Sequence, residues 1–253
     1  MPKIRIIPVL SIAFGRMVKT LRFTDPIYLG DPVNILRIFN CKQVDEICVV
    51  DITSTRDKQA PDYSMIQNMV SECFMPLCYG GGIKHLSEME HIYGLGVEKI
   101  SLNSLLDSSS LVEEAAKKFG NQSLVASIDV IEKDGTYQLF DYRTRQVTPL
   151  APEEQAKRCE SMGCGEILLN CVNRDGVRIG YDLELIRRVS TAVSIPVIAC
   201  GGANTYDDLG KALLAGASAA GAGSLFTLYG KHRAVLLRYP NQKDFEKIEA
   251  IIQ

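Results

Sequence analysis

Met75-Pro76-Leu77-Cys78-Tyr79-Gly80-Gly81-Gly82-Ile83 returns later in the chain as Ile195-Pro196-Val197-Ile198-Ala199-Cys200-Gly201-Gly202-Ala203. The offset is constant: Pro76 to Pro196, Gly81 to Gly201, Gly82 to Gly202 and Gly96 to Gly216 are each 120 positions apart. Both copies read as a short buried strand that runs into glycines. Lacking a Cβ, such a strand end lets backbone approach a ligand closely. A helix later, Lys99-Ile100-Ser101-Leu102-Asn103-Ser104 and Ala219-Ala220-Gly221-Ala222-Gly223-Ser224 keep the same offset. Each half of the chain therefore carries a strand-helix-strand unit with small or hydrogen-bonding residues at both strand ends, the shape of a phosphate site.

Outward from these units, short apolar runs predict strands at 4–12, 47–52, 77–79, 99–102, 124–130, 167–171, 197–200 and 219–222. Helical patterns fill the gaps at 32–39, 63–72, 86–93, 109–119, 152–162, 183–190 and 206–215, with a last one at 242–252. Strands without polar alternation, each followed by a helix, indicate a parallel sheet covered on both faces. Eight such units predict a closed (βα)8 TIM barrel, as a single domain over 1–253. The repeat makes it two half-barrels: Glu46 and Glu166 share the 120 offset, and Ile6–Ile12 aligns with Leu124–Val130 at a shift of 118. Two longer stretches, 13–31 and 131–149, follow the first strand of each half and belong on the C-terminal, catalytic face. The second contains Asp134-Gly135, a hairpin signal.

Composition excludes several function classes. The chain has 253 residues, 46% apolar and 23% charged, with a formal net charge of -2, so bulk attraction to nucleic acid or an anionic membrane is not expected. No apolar run approaches the roughly 18 residues of a membrane span, and the first residues open into a strand, so a cytoplasmic location is expected. The eight cysteines include no C-x-x-C pair, and Cys48, Cys78, Cys171 and Cys200 sit in apolar strands. They read as reduced structural thiols. Neither a metal site nor a cofactor is expected.

The candidate chemistry lies at the strand ends. Asp129 closes the fifth strand, where a carboxylate points into the barrel mouth and suits a general acid or base; capping a neighbouring loop is the alternative. Its repeat partner is Ser11, whose hydroxyl cannot take a proton near neutral pH without an adjacent base. Asp51, ending the second strand, reads equally as a catalytic assistant or an anchor for its loop. Lys19 could clamp an anion, but on its residues alone it reads as solvated, and Asn173-Arg174-Asp175-Gly176 reads as a turn whose backbone could also face a phosphate. At the opposite face, Arg5, Glu46, Lys99 and Glu166 stand at strand starts. Charges meeting there must be paired, as a structural plug or as a ring opening onto the barrel axis.

With these residues assembled, the chain resembles the HisF family, the cyclase subunit of imidazole glycerol phosphate synthase. The likeness spans nearly the whole chain: Arg-Ile-Ile-Pro at 5–8, Gly-Arg-x-Val-Lys at 15–19, Val-Asp-Ile-Thr at 50–53 and Gly-Gly-Gly-Ile at 80–83. It continues with Ser-Ile-Asp at 127–129, Gly-Glu-Ile-Leu-Leu at 165–169, Arg-Asp-Gly at 174–176, Gly-Tyr-Asp-Leu-Glu-Leu at 180–185 and Ile-Pro-Val-Ile-Ala-x-Gly-Gly-Ala at 195–203. The resemblance implies a partner glutaminase, HisH-like, docked on the bottom face and releasing ammonia. It implies a charged gate at Arg5, Glu46, Lys99 and Glu166. One phosphate site is implied at Gly82 and Asn103, and another at Asp175, Gly176, Gly202, Gly223 and Ser224. Lys19 matches a loop lysine of the family. At the top, ammonia would attack a bis-phosphorylated ribotide and split it into imidazole glycerol phosphate and an aminoimidazole carboxamide ribotide.

One position departs from that pattern. The family uses an aspartate at the end of the first strand as well as the fifth; here Ser11 replaces it within Pro8-Val9-Leu10-Ser11. Losing a positioned acid or base costs roughly a hundred- to ten-thousand-fold. The pattern is similar to a paralogous branch associated with amidation of surface-polysaccharide sugars, in which ammonia is passed to a separate sugar amidotransferase. The expected function is an ammonia-receiving barrel of that kind, holding a phosphorylated small-molecule ligand. A genuine histidine-pathway cyclase and a scaffold that only activates a glutaminase are the alternatives.

Overall fold

A computed structural model describes residues 4–103 and 108–253. Eight parallel strands form its centre: β1 (Ile6–Ala13), β2 (Ile47–Asp51), β3 (Leu77–Gly80), β4 (Lys99–Leu102), β5 (Leu124–Lys133), β6 (Glu166–Cys171), β7 (Val197–Cys200) and β8 (Ala219–Ala222). Each pairs with the next, and β8 returns to β1 through Ile6 opposite Ala220, so the sheet has no open edge. Helices α1 (Pro32–Cys41), α2 (Tyr63–Ser71), α3 (Leu86–Gly94), α4 (Ser109–Phe119), α5 (Pro152–Ser161), α6 (Leu183–Ala192) and α7 (Tyr206–Leu214) cover the outside. A short α8 (Ser224–Thr227) and the tail helix α9 (Gln242–Ile252) complete the set, and the expected (βα)8 TIM barrel is observed. Ser104, expected at the end of β4, lies outside the described residues.

Local signals place the helix starts. Asp31 precedes Pro32 and accepts from the Asn34 amide at 3.0 Å. Asp182 does the same for α6 through Leu185 at 3.1 Å, and Asn241 and Asp244 form a capping box at α9. The larger core lies between sheet and helices, with Ile6, Leu36, Phe39, Ile47, Ile100 and Leu209 essentially inaccessible. A second, smaller apolar cluster fills the lumen: Ile7, Cys48, Cys78, Val125, Leu168, Ile198, Cys200 and Ala219, flanked by Val9 and Val50. Strand alternation separates the two sets, because odd positions of β1 face the lumen while Ile6 and Leu10 face the helices.

The half-barrel repeat extends to the pairing register. Ile47 lies opposite Leu77, and Ile167 opposite Val197. Val9 lies opposite Cys48, and Ser127 opposite Leu168, which reproduces the shift of 118 in the first strand of each half. Gly81 and Gly201 both adopt positive φ, at 119° and 89°. A Cβ on Gly81 would meet the Asp51 carbonyl oxygen at 2.4 Å, and one on Gly201 the Cys171 carbonyl oxygen at 2.6 Å. The two abutting carbonyls are themselves 120 positions apart.

The stretch 13–31, expected as a long loop, is a β-hairpin: strand β1 turns at Phe14-Gly15 into Arg16–Leu21, which pairs antiparallel with Thr24–Gly30. The 131–149 stretch forms the expected hairpin, β5 turning at Asp134-Gly135 into Thr136–Asp141, with Gln146–Thr148 added beyond. Both turns hold two residues at positive φ: 50° and 71° in the first, 52° and 75° in the second. That is the backbone of a type I′ hairpin.

Candidate functional site

Each end of the barrel carries a distinct constellation, and period-two alternation links them. Along β1 and the residue before it, Arg5, Ile7, Val9 and Ser11 point the same way; along β6, so do Glu166, Leu168 and Asn170. The floor is charged, the middle apolar and the roof polar.

At the floor the four charges expected there form a closed ring. Arg5 reaches Glu166 and Glu46 at 2.6 Å each, and Lys99 Nζ donates to Glu46 at 3.0 Å and Glu166 at 2.8 Å. Each cation bridges both carboxylates and each carboxylate bridges both cations. The side chains of Glu46 and Glu166 are 8% and 5% exposed, so a lone charge at either position would be costly. Burial opposes the charge on Arg5 and Lys99, but hydrogen bonds and attraction from the carboxylates outweigh it and hold both pKa values above their ordinary range. For Glu166 burial raises the pKa and the two cations more than offset it, leaving it below the usual carboxyl range.

The layer above the ring carries no charge. The neighbouring Cys48 thiol and burial push the Cys78 thiol well above its ordinary pKa, and burial pushes Cys200 up to about 12. Both remain neutral thiols, and together with Ala219 and the branched side chains they make the lumen wall small and apolar.

At the roof a cavity of about 280 Å³ opens, lined among others by Ser11, Asp51, Asn103, Asp129, Asn170 and Gly223. Asp129 is the group most perturbed toward neutrality there. Burial, then the negative Asp175, raise its pKa to about 7, against the lowering effect of hydrogen bonds from Asn170 and Asn103. Asn103 Nδ2 donates to Asp129 Oδ2 at 2.9 Å and to the Ser127 carbonyl at 3.0 Å. A carboxyl held half-protonated near neutral pH can take or give a proton. Its repeat partner Ser11 lines the same cavity, and among the described residues no carboxylate hydrogen-bonds to its hydroxyl.

The other expected site residues fall into two groups. Asp51 is fully engaged as a loop anchor: Oδ1 accepts from the Thr53 amide and hydroxyl at 2.8 Å each and from the Ser54 amide at 3.0 Å, and Oδ2 from the Ser54 hydroxyl at 2.7 Å. Lys19 is neither solvated nor open, being 6% exposed with its ammonium on both oxygens of Asp175, at 2.7 and 2.8 Å. The pair ties the first hairpin to the loop after β6. The Gly82 amide donates to Thr55 Oγ1 at 2.9 Å. In the second half, Gly202 accepts from the Gly180 amide, and the Ser224 hydroxyl is buried without a partner among the described residues. Gly176 packs against Thr20, leaving no room for a Cβ.

Sequence reading missed the residues that roof the cavity. Tyr142, Arg143 and Arg145 come from the hairpin after β5, Phe23 from the first hairpin and Arg56 from the loop after β2. Their signal was only the length of those excursions. Among the described residues no group of three or more His, Cys, Asp or Glu is placed to hold a metal ion, and no helix is long and apolar enough to cross a membrane.

The chain is similar to known proteins in sequence. The family model described as histidine biosynthesis protein matches residues 5–233, from the ring arginine to the residues beyond β8. A Pseudomonas aeruginosa protein provisionally named as imidazole glycerol phosphate synthase subunit hisF2 is 46% identical over 94% of this chain and 96% of its own. This chain belongs to the HisF family. A Leptospira interrogans protein, also provisionally named as a HisF subunit, is 43% identical over 98% of this chain and 99% of its own. The imidazole glycerol phosphate synthase subunit HisF of Alkaliphilus metalliredigens is 40% identical over 88% and 89%. Within this HisF-family chain the ring, the apolar lumen and Asp129 form one axis through the barrel.

Proposed function

We propose that this HisF-family barrel receives ammonia at its floor from a HisH-like glutaminase and conducts it along the lumen to the roof. The observation that carries the reading is the closed four-charge ring beneath an uncharged, small-residue lumen. Ammonia is neutral and crosses an apolar layer that an ammonium ion does not, and the ring is the gate in which the ion pairs part. The ammonia then serves amidation of a surface-polysaccharide sugar by a separate amidotransferase. Cyclase chemistry on a bis-phosphorylated ribotide is impaired, because ring closure and cleavage need proton transfer at two points and Ser11 supplies no acid or base at one of them. A phosphorylated ligand at the roof is supported by the glycine-rich strand ends and by the unpartnered Ser224 hydroxyl. The cell compartment is the cytoplasm, where glutamine is available.

Purified protein supplied with ammonium salt and the bis-phosphorylated ribotide tests the chemistry. Turnover at the level of a histidine-pathway cyclase overturns the impairment and establishes the second reading, which the proton-handling poise of Asp129 favours. For the conduit, glutaminase turnover and ammonia transfer are compared between the parent complex and Lys99→Met. If glutaminase activation persists and transfer is unchanged, the four charges are a structural plug and the barrel acts as a scaffold.

A further inference from the structure

Beside the roof, a second, more open cleft of about 520 Å³ is lined by Arg178, Lys231, Arg233 and Arg238, with Gly176, Asn204 and Tyr229. None of the four cations has a carboxylate within salt-bridge distance among the described residues, in a chain whose net charge is -2. Elsewhere in this molecule buried or half-buried cations are paired, as at the floor ring, at Lys19–Asp175 and at Arg174–Asp182. Gathering guanidinium groups without counter-charge raises the energy of the unliganded protein, and an anion relieves it.

The arginines are held in place by backbone carbonyls and rings. Arg178 donates to the carbonyls of Ser224 and Leu228, Arg233 to that of Gly176 at 3.1 Å, and Arg238 to that of Leu225 at 2.7 Å. Arg238 also lies between the rings of Tyr229 and Tyr206, at 5.2 and 6.0 Å from their centroids. The Nε atoms of Arg178 and Arg233 are buried without an acceptor among the described residues. Both residues, moreover, adopt the left-handed backbone conformation, with φ of 64° and 53°. Burial and the like charges of Arg238 and Arg233 depress the pKa of Arg178, as expected of a cation waiting for an anion.

We infer that this cleft is an anion site for a diphosphate group on a small molecule. Three guanidiniums and an ammonium supply more positive charge than one phosphate monoester neutralises, and guanidinium forks match the paired oxygens of adjacent phosphoryl groups. The exposed face of Tyr229 leaves room for an attached ring. The site lies apart from the ammonia path and stands whether or not that path is used.

Isothermal titration of the full-length protein at low ionic strength with inorganic pyrophosphate, orthophosphate and sulfate tests the assignment. Pyrophosphate is expected to bind at least about tenfold more tightly than either single anion, each charge-assisted hydrogen bond contributing about a factor of ten. Arg238→Gln is expected to weaken pyrophosphate binding by about tenfold or more. Lys231→Gln, at an exposed hairpin position whose loss leaves the fold intact, is expected to weaken it several-fold. Pyrophosphate binding no tighter than orthophosphate, or unmoved in Lys231→Gln and in folded Arg238→Gln, overturns the site. Lys99→Met at the floor is expected to leave pyrophosphate affinity unchanged, so failure of the conduit and failure of this cleft are separate results. A nucleoside diphosphate that outcompetes pyrophosphate supports the site and identifies a nucleotide as its source. Equal affinity supports recognition of the diphosphate alone.

Discussion

The two half-barrels share register, glycine positions and even the carbonyls those glycines abut, yet their first strands end differently. In the second half Asp129 lies opposite Asn170 and takes a hydrogen bond from Asn103. At the equivalent place in the first half Ser11 lies opposite Val50, with an apolar residue where the supporting amide would be. The two halves thus match in scaffold but differ at this strand end, a carboxyl with supporting amides in one and a hydroxyl beside an apolar residue in the other. The glycine-rich strand ends diverge as well: the Gly82 amide is occupied by Thr55, whereas the Ser224 hydroxyl has no partner among the described residues. On the proposed function, the second half is the one whose roof would handle protons and a ligand.

Restoring symmetry gives the largest expected effect. Ser11→Asp is predicted to raise residual ring closure and cleavage of the ribotide by about 10²–10⁴-fold, measured with ammonium as nitrogen source. No change would show that the difference between the halves lies elsewhere than at this residue.

Next comes the floor, to which the halves contribute unequally. Glu166→Gln leaves Arg5 and Lys99 sharing a single carboxylate, with an expected loss of about 3 kcal/mol in urea unfolding at pH 7. Because the folded-state pKa of Glu166 is depressed, its stabilisation is present above the ordinary carboxyl range and lost as pH falls through the depressed value. The deficit of the variant should therefore shrink in acid. A deficit that stays constant down to pH 3 would refute the linkage.

An effect of opposite sign is expected at Asp129. Its folded pKa of about 7 exceeds the ordinary 3.8, so the native state binds the extra proton between those values and the protein loses stability as pH rises through that window. Asp129→Asn removes this dependence and is predicted to be more stable than the parent at pH 8 by up to about 4 kcal/mol, with the gain vanishing near pH 4. Parallel stability profiles would show that the carboxyl is not buried as described.

The smallest effect concerns the matched turns. Asp134-Gly135 carries residues suited to left-handed backbone, but Phe14-Gly15 places an aromatic there, 72% exposed, with Arg56 over its ring at 5.6 Å. Phe14→Asp, copying the second half, is expected to stabilise by about 0.5–1 kcal/mol, read as a rise in melting temperature. A fall would mean that the contact with Arg56 outweighs the turn.

These turns also show what sequence can reveal. The second hairpin was legible because Asp-Gly is a turn signal; the first was not, because Phe14, Arg22 and Phe23 sit at positive φ against their preference. The eight barrel strands were legible because apolar runs without alternation, separated by helices, have few other solutions. The ring was legible as residues at strand starts, since closure of the barrel brings starts together. Lys19 and Asp175 were each read alone, because nothing local signals a pairing across 156 positions. Asp51 was ambiguous for a similar reason: Thr53 and Ser54 adjoin it in sequence, but only the loop geometry turns four donors onto one carboxylate. The cleft joins the cations at 231, 233 and 238 to Arg178, more than 50 positions earlier, and the short basic run alone does not signal that meeting.

The composition of the floor ring bears on how the two halves recognise each other. The first half brings Arg5, Lys99 and Glu46 and so carries a surplus positive charge; the second brings Glu166 alone. Two copies of the first half would meet with unbalanced cations, and two copies of the second with facing carboxylates and nothing between them. Only the mixed pair is neutral. On charge alone, the four side chains at the base therefore favour the mixed pair over two copies of either half.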